Sequence, residues 1–158
     1  LIIGFVLGLA AGFGIPIAQA FGAREEKRML QTIMNAFYLC IFFSIVLTVL
    51  THFTTETLLQ WMQTPANIFK QSYDYISIIF YGLTCTIAYN FLASVSRALG
   101  DSKTPLIFLI ISSLLNVVLD LSMIINFHMG VRGAALATVI AQFQLFYVLF
   151  IWLKNILI

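Results

Sequence analysis

Charge is scarce in this chain. Only 9% of its 158 residues are Asp, Glu, Lys or Arg, where a soluble domain carries roughly a quarter. Such a chain has too few charged groups to cover itself for life in water. Cysteine is scarcer still: Cys40 and Cys85 both fall inside apolar runs, so they read as packing residues and not as a disulfide or a metal pair. No GxxxxGK[ST] phosphate loop occurs, which excludes nucleotide hydrolysis by that route. HExxH, metal-spaced Cys/His sets and a Ser/His/Asp constellation are missing too, so an enzyme is not expected. A signal peptide is also missing: the chain opens at Leu1 already in apolar sequence, without an initiator Met or a charged leader. A truncated piece of a longer protein is expected.

What is present is hydrophobic sequence, 61% of the residues. Five stretches are long enough for a helix to cross a hydrocarbon core, which takes about 20 residues: about 1–22, 29–53, 68–98, 105–127 and 133–154. Length separates helix from strand in such continuous runs. Backbone groups in lipid must also pair within their own segment. The fold class is therefore all-α, a polytopic membrane helix bundle with five transmembrane helices.

The loops give the orientation. "GAREEKRM", "RALGDSKTP" and the end of the fifth span hold Arg24, Lys27, Arg28, Arg97, Lys103 and Lys154, while the opposite side holds only Lys70 and Arg132. The basic side belongs in the cytoplasm, so the first span runs inward. The long second connection, "THFTTETLLQWMQTPANIFKQ", reads as an outer-interface segment. Leu58, Leu59, Trp61 and Met62 would lie at the headgroups, Tyr73 and Tyr75 would extend an aromatic belt, and Pro65 would stand at the turn into the third span.

Small residues predict close packing. Gly4, Gly8 and Gly12 form a row on the first span, and Gly133/Ala137 with Ala134/Thr138 form another at the start of the fifth. Gly14 and Pro16 predict a kink or local unwinding in the first span.

The polar residues inside the spans carry the functional signal. Counted from Pro105 at 1.5 Å per residue, Asp120 lies roughly 22 Å along the fourth span. In a core about 30 Å thick, that is the outer half. Counted from Arg132, Thr138 falls about 9 Å below the same boundary. Asn116 is one turn deeper on the Asp120 face, and Asn90 on the third span reaches mid-depth. Asn90, Asn116, Asp120 and Thr138 are thus expected to line one polar pocket. A charged Asp at mid-helix costs around 3 kcal/mol on insertion scales, a cost relieved by a proton or a bound cation. Oxygen ligands of these types suit a hard cation, so a Na⁺ for H⁺ exchange site is one reading. An Asp–Asn–Thr cluster that merely locks helices together is the other. His52 and His128 are expected near the outer interface. Gln19, Gln142 and Gln144 would face a cavity or a neighbouring helix.

Taken together, "FGAREEKR", "RALGDSKTPL", "NVVLD" and "MGVRGAALAT", in this order and spacing, resemble the first half of the MATE (multidrug and toxic compound extrusion) transporters along nearly the whole chain. The resemblance implies twelve helices in two six-helix lobes, with residues 1–158 as a partial N-terminal lobe, helices two to six. The first helix and the C-terminal lobe would be missing partners. It implies a cation-coupled antiporter, using H⁺ or Na⁺ and no cofactor, that exports small organic and often cationic compounds. The setting would be a multi-pass place in the lipid bilayer of a cell membrane, the bacterial inner membrane being expected, with no nucleic-acid partner. It also implies a cation site at Asn116, Asp120, Ala134 and Thr138, with Asn90 in a nearby network. An acidic residue of the family's first helix, which belongs to that site, has no counterpart here. Two alternatives stand beside this: a lipid-linked-oligosaccharide or lipid II flippase of the same superfamily, and a non-transporting structural subunit of the membrane.

Overall fold

The structure, a computed structural model, describes residues 2–157. Leu1 and Ile158, the ends of the expected lobe fragment, lie outside the described residues. The chain forms α1 (Ile2–Gly22), α2 (Glu26–Trp61), α3 (Ala66–Tyr81), α4 (Leu83–Ala98), α5 (Lys103–Leu121) and α6 (Gly130–Leu157), with a π-helical turn at Ser122–Asn126. Among the described residues there is no strand, so the all-α expectation holds. α2, the stretch Lys103–Asn126 and most of α6 are each long and apolar enough to cross a membrane. α3 and α4 together make a further span that is bent, and α1 stands beside it.

That bend corrects the expectation of one unbroken helix over 68–98. α3 and α4 meet at 41°, and the break is at Gly82. Its N–H still closes on the Ile78 carbonyl, while its own carbonyl accepts the N–H groups of both Cys85 and Thr86. A continuous apolar run carries no mark of such a break except the glycine itself. Gly82 is the residue whose missing side chain lets α6 pack against the corner.

α2 corrects a second boundary, because the expected helix end at 53 and the loop beyond it are helical to Trp61. The polar run "THFTTET" reads as loop, yet its threonines satisfy themselves within the helix. Thr51 donates to the Leu47 carbonyl, Thr54 to Leu50 and Thr55 to Thr51, the i−4 back-bond open to a hydroxyl. Thr51, Thr55 and Leu59 are buried along one face, so Leu59 belongs to the bundle and not to the headgroups. Trp61 and Met62 are exposed at the helix end, and Pro65 caps the start of α3.

α4 is the hub, packing on α1, α2 and α6. Phe91 through Ser96 are buried without interruption, which happens only to a helix surrounded on all sides. The short side chains Ala93, Ser94 and Ser96 let neighbours approach. A Cβ on Gly14 of α1 would lie 2.6 Å from the Ser94 Oγ, so Gly14 is the close-approach glycine of α1. Ala10, Ile17 and Ala20 continue its buried face. Among the described residues the row Gly4, Gly8, Gly12 has nothing within 4 Å; within these helices the buried face of α1 is set by the 10–14–17–20 positions. α1 also runs through Pro16 as one helix. Pro16 is exposed, and so is the face on which its missing N–H falls.

α6 packs through a row at four-residue spacing, Gly133, Ala137, Ala141, Leu145, Leu149 and Leu153, all buried. The small members stand at the end that meets α3 and the π-helical turn, and the leucines at the other. α5 leans on α6 and buries only Pro105 and Ser112. Its outer face of Leu106, Ile110, Leu114 and Val118 is bare, as suits a helix facing lipid.

Candidate functional site

The polar residues of α5 and α6 meet in register. Ser112 donates to the Ala141 carbonyl at 2.8 Å. One turn outward, Asn116 Nδ2 donates to Thr138 Oγ1 at 3.4 Å, and Thr138 Oγ1 donates to the Ala134 carbonyl at 3.0 Å. This places Asp120, a further turn along α5, level with Ala134. Rise per residue from the loop ends predicts Asp120 and Thr138 at one level. The difference of about one turn arises because both helices begin two residues before the points counted from, α5 at Lys103 and α6 at Gly130, about 3 Å each.

Asp120 itself makes no bond to Asn116 or Thr138. Its Oδ1 is buried and has no hydrogen-bond partner. Among the described residues, the ion pairs are Arg28–Glu25 and Arg132–Asp74, so Asp120 has no protein counter-ion. It sits in the last turn of α5, against the π-helical turn Ser122–Asn126. Gly133 permits that turn to rest on α6, since a Cβ there would be 3.0 Å from the Cβ atoms of Met123 and Met129. π-helical turns often accompany functional sites. No periodicity in the sequence announces this one.

Asn90 does not join this group. Its Nδ2 donates to the Thr86 carbonyl at 2.8 Å, and Thr86 Oγ1 donates to Gln142 Oε1 at 2.7 Å. A second polar link thus ties α4 to α6, and Gln142 faces a neighbouring helix. Thr86, missed in the sequence, is legible only as the residue four before Asn90 on one helix face. Gln144 Oε1 is buried without a partner. His52 is exposed, with its Nδ1 2.9 Å from the Tyr81 hydroxyl.

At the outer ends of α3 and α6, the Arg132 Nε and Nη2 both donate to Asp74 Oδ2, at 2.9 and 2.7 Å. One of the two basic residues assigned to the outer side is therefore paired, which sharpens the charge asymmetry between the two faces. Among the described residues no three His, Cys, Asp or Glu side chains converge.

Comparison with known proteins agrees with this architecture. The MatE family model matches residues 1–122. The chain is 33% identical to the probable multidrug resistance protein YoeA of Bacillus subtilis over 98% of its length, and 36% identical to the probable multidrug resistance protein YpnP of the same organism over 94%. It spans about a third of the length of both relatives, 34% in each case. Among solved structures, it superimposes on the inward-facing conformation of a multidrug resistance MATE family transporter with a TM-score of 0.91 and 23% identity. That superposition covers 96% of this chain and 34% of the other. With the family model covering most of the sequence and the helix bundle matching that of MATE transporters, the chain belongs to the MatE family.

Proposed function

We propose that this chain forms helices two to six of the N-terminal lobe of a cation-coupled antiporter that exports small organic, often cationic, compounds. The observation that carries the reading is the Asp120 carboxylate, whose Oδ1 is buried with neither a donor nor a counter-ion. A carboxylate inside a span with one oxygen buried and unpartnered is costly as an anion. The cost is removed by taking up a proton or by binding a small cation. Asn116, the Ala134 carbonyl and the Thr138 hydroxyl stand within the next turn and offer oxygens of the right hardness. Asn116 and Thr138 already share their hydrogens with each other and with Ala134, so a cation that bound here would draw on the Asn116 and Asp120 oxygens and disturb the α5–α6 link.

In the transport cycle this proposal implies, loading Asp120 with H⁺ or Na⁺ changes the charge at the α5–α6 junction and biases the inward–outward equilibrium. Release of the organic substrate follows from that bias. A ligand shifts such an equilibrium only by its different affinity for the two states, and an Asp120 exposed to cations in one state and shielded in the other supplies that difference. Two measurements on the intact protein test the reading: dye efflux from vesicles driven by a proton or a Na⁺ gradient, with Asp120→Asn compared against the parent. The variant should lose gradient-driven efflux. Full coupled efflux in the variant would remove Asp120 from the mechanism, and dependence on one gradient alone would name the ion.

A further inference from the structure

On the side of the bundle away from Asp120, α2 and α6 stand apart. Among the described residues no Cα of α2 lies within 8 Å of one of α6, though both helices pack on α4. The gap between them is a groove with α4 as its floor, enclosing a cavity of about 150 Å³. Phe37 and Ile41 form the α2 wall, Phe146 and Phe150 the α6 wall, and Ala88 and Phe91 part of the floor. Ser44 and Thr84 also border it, but their hydroxyls bond each other at 2.8 Å, so the lining is apolar in effect. The rows are linear: Phe146 and Phe150 are one turn apart on α6, and one turn farther towards the basic face comes Lys154. Lys154 is exposed, lies in the last turn of α6, and among the described residues forms no ion pair.

We propose that this groove holds one acyl chain of a bilayer phospholipid, whose phosphate is taken by Lys154 at the cytoplasmic mouth. Charge complementarity selects the occupant. The apolar slot ends at a cation about one helical turn, roughly 6 Å, beyond Phe150, and a phospholipid presents an anion at the head of an apolar chain. A further helix is a poor fit. Helices in membranes approach one another over small residues, whereas these walls are phenylalanine and isoleucine and the cavity is far narrower than a helix about 10 Å across. Ordinary annular lipid would show no preference for this gap over the bare face of α5. The proposal concerns a surface remote from Asp120 and does not depend on the transport mechanism.

The test uses the intact protein in nanodiscs containing phosphatidylglycerol with a diazirine near the chain end, or an uncharged diacylglycerol with the same chains. After photolysis, labelled peptides are mapped. Label from phosphatidylglycerol should concentrate on residues 37–45 and 146–150 over residues 106–118 of α5. Ala88→Trp, which fills the floor, should abolish that excess. Lys154→Gln, a surface change that the fold tolerates, should lower phosphatidylglycerol labelling about fivefold, the effect of one basic residue at an anionic surface, and leave diacylglycerol labelling unchanged. Equal labelling of the groove and of α5 would show annular lipid only and overturn the proposal. An unlabelled groove would overturn it as well, by showing that another segment or a second copy of the protein covers the site.

Discussion

Gly82 lies directly against Val139: a Cβ added to Gly82 would stand 2.6 Å from the Val139 Cγ2. The corner between α3 and α4 therefore packs on α6 only because residue 82 lacks a side chain. Val139 is β-branched and has little rotamer freedom in a helix, so it cannot swing away. Gly82→Ala is expected to destabilise the intact protein by about 1–3 kcal/mol, the usual range for overpacking, seen as a lower melting temperature in detergent. Adding Val139→Ala should restore most of the loss. Failure of the second change to rescue the first would mean that the corner is not set by this contact.

The Asn116–Thr138 link makes a second, smaller prediction. Hydrogen bonds between membrane helices average about 0.6 kcal/mol in double-mutant cycles, and this one is long at 3.4 Å. Asn116→Ala and Thr138→Val should couple by that amount or less in an unfolding cycle. Thr138→Ser should keep the coupling. Asp120→Asn should not lower stability at all, since the Asp120 carboxylate accepts a hydrogen bond from neither Asn116 nor Thr138. A stability loss in Asp120→Asn as large as in Thr138→Val would mark Asp120 as a structural member of the cluster.

At the outer end, Arg132 ties α6 to α3 through Asp74. The pair is partly exposed, with side-chain accessibilities of 57% and 23%, and water and salt therefore weaken it. Arg132→Gln is expected to cost about 0.2–1 kcal/mol, less at high ionic strength. The exchange Asp74→Arg with Arg132→Asp should recover part of it. Melting curves at low and high salt distinguish this from a packing effect, which salt would not change.

Much of this arrangement is legible from residue type and spacing, and what is not has a physical reason. The all-α class follows from apolar length alone, because lipid leaves the backbone no other way to pair; the count of five spans does not, since among the described residues three helices and one bent pair are long and apolar enough to cross. Rise per residue along two antiparallel helices brings Asn116, Asp120 and Thr138 to one region of the bundle but sets Thr138 against Asp120, one turn away from the Asn116–Thr138 link that forms. The errors occur where a side chain substitutes for a missing signal. Threonines 51, 54 and 55 look like loop but bond their own helix. Gly82 looks like any glycine in a span but breaks it. The Gly4, Gly8, Gly12 row looks like an interface, yet within these helices which face of α1 is buried is decided by Ala10, Gly14 and Ile17 meeting α4, and periodicity does not rank two small-residue faces. The π-helical turn after Asp120 depends on Gly133 across the helix pair, a contact between distant positions that no local pattern encodes.

The connection from α4 to α5, by contrast, can be read residue by residue, and it yields the prediction with the clearest pH signature. Gly100 adopts φ +91° with open space around it. There the chain turns back, with the Asp101 N–H on the Ser96 carbonyl and the Gly100 N–H on Arg97, both at 3.0 Å, which is a Schellman stop. Asp101 then restarts the helix, its Oδ1 accepting the N–H groups of Lys103 and Thr104 at 3.0 Å. Gly100→Ala should cost about 1–2 kcal/mol for the left-handed backbone alone. Hydrogen bonding from the Thr104 side chain first, then from the Thr104 backbone, holds the Asp101 carboxyl below its ordinary value of 3.8, Lys103 adding a smaller pull. The ionised form is therefore the one the fold prefers. The stabilisation is complete above that ordinary value and is lost as pH falls through the lower folded-state value. Asp101→Asn keeps a side-chain oxygen for the cap but cannot titrate. Protection of the Lys103 and Thr104 amides, taken as exchange relative to the intrinsic rate at each pH and followed from neutral pH into the acid range below about 4, should fall in the parent and stay flat in Asp101→Asn, while Asp101→Ala should be poorly protected throughout. A parent whose exchange tracked the Asn variant across that range would show that the cap does not depend on the charge.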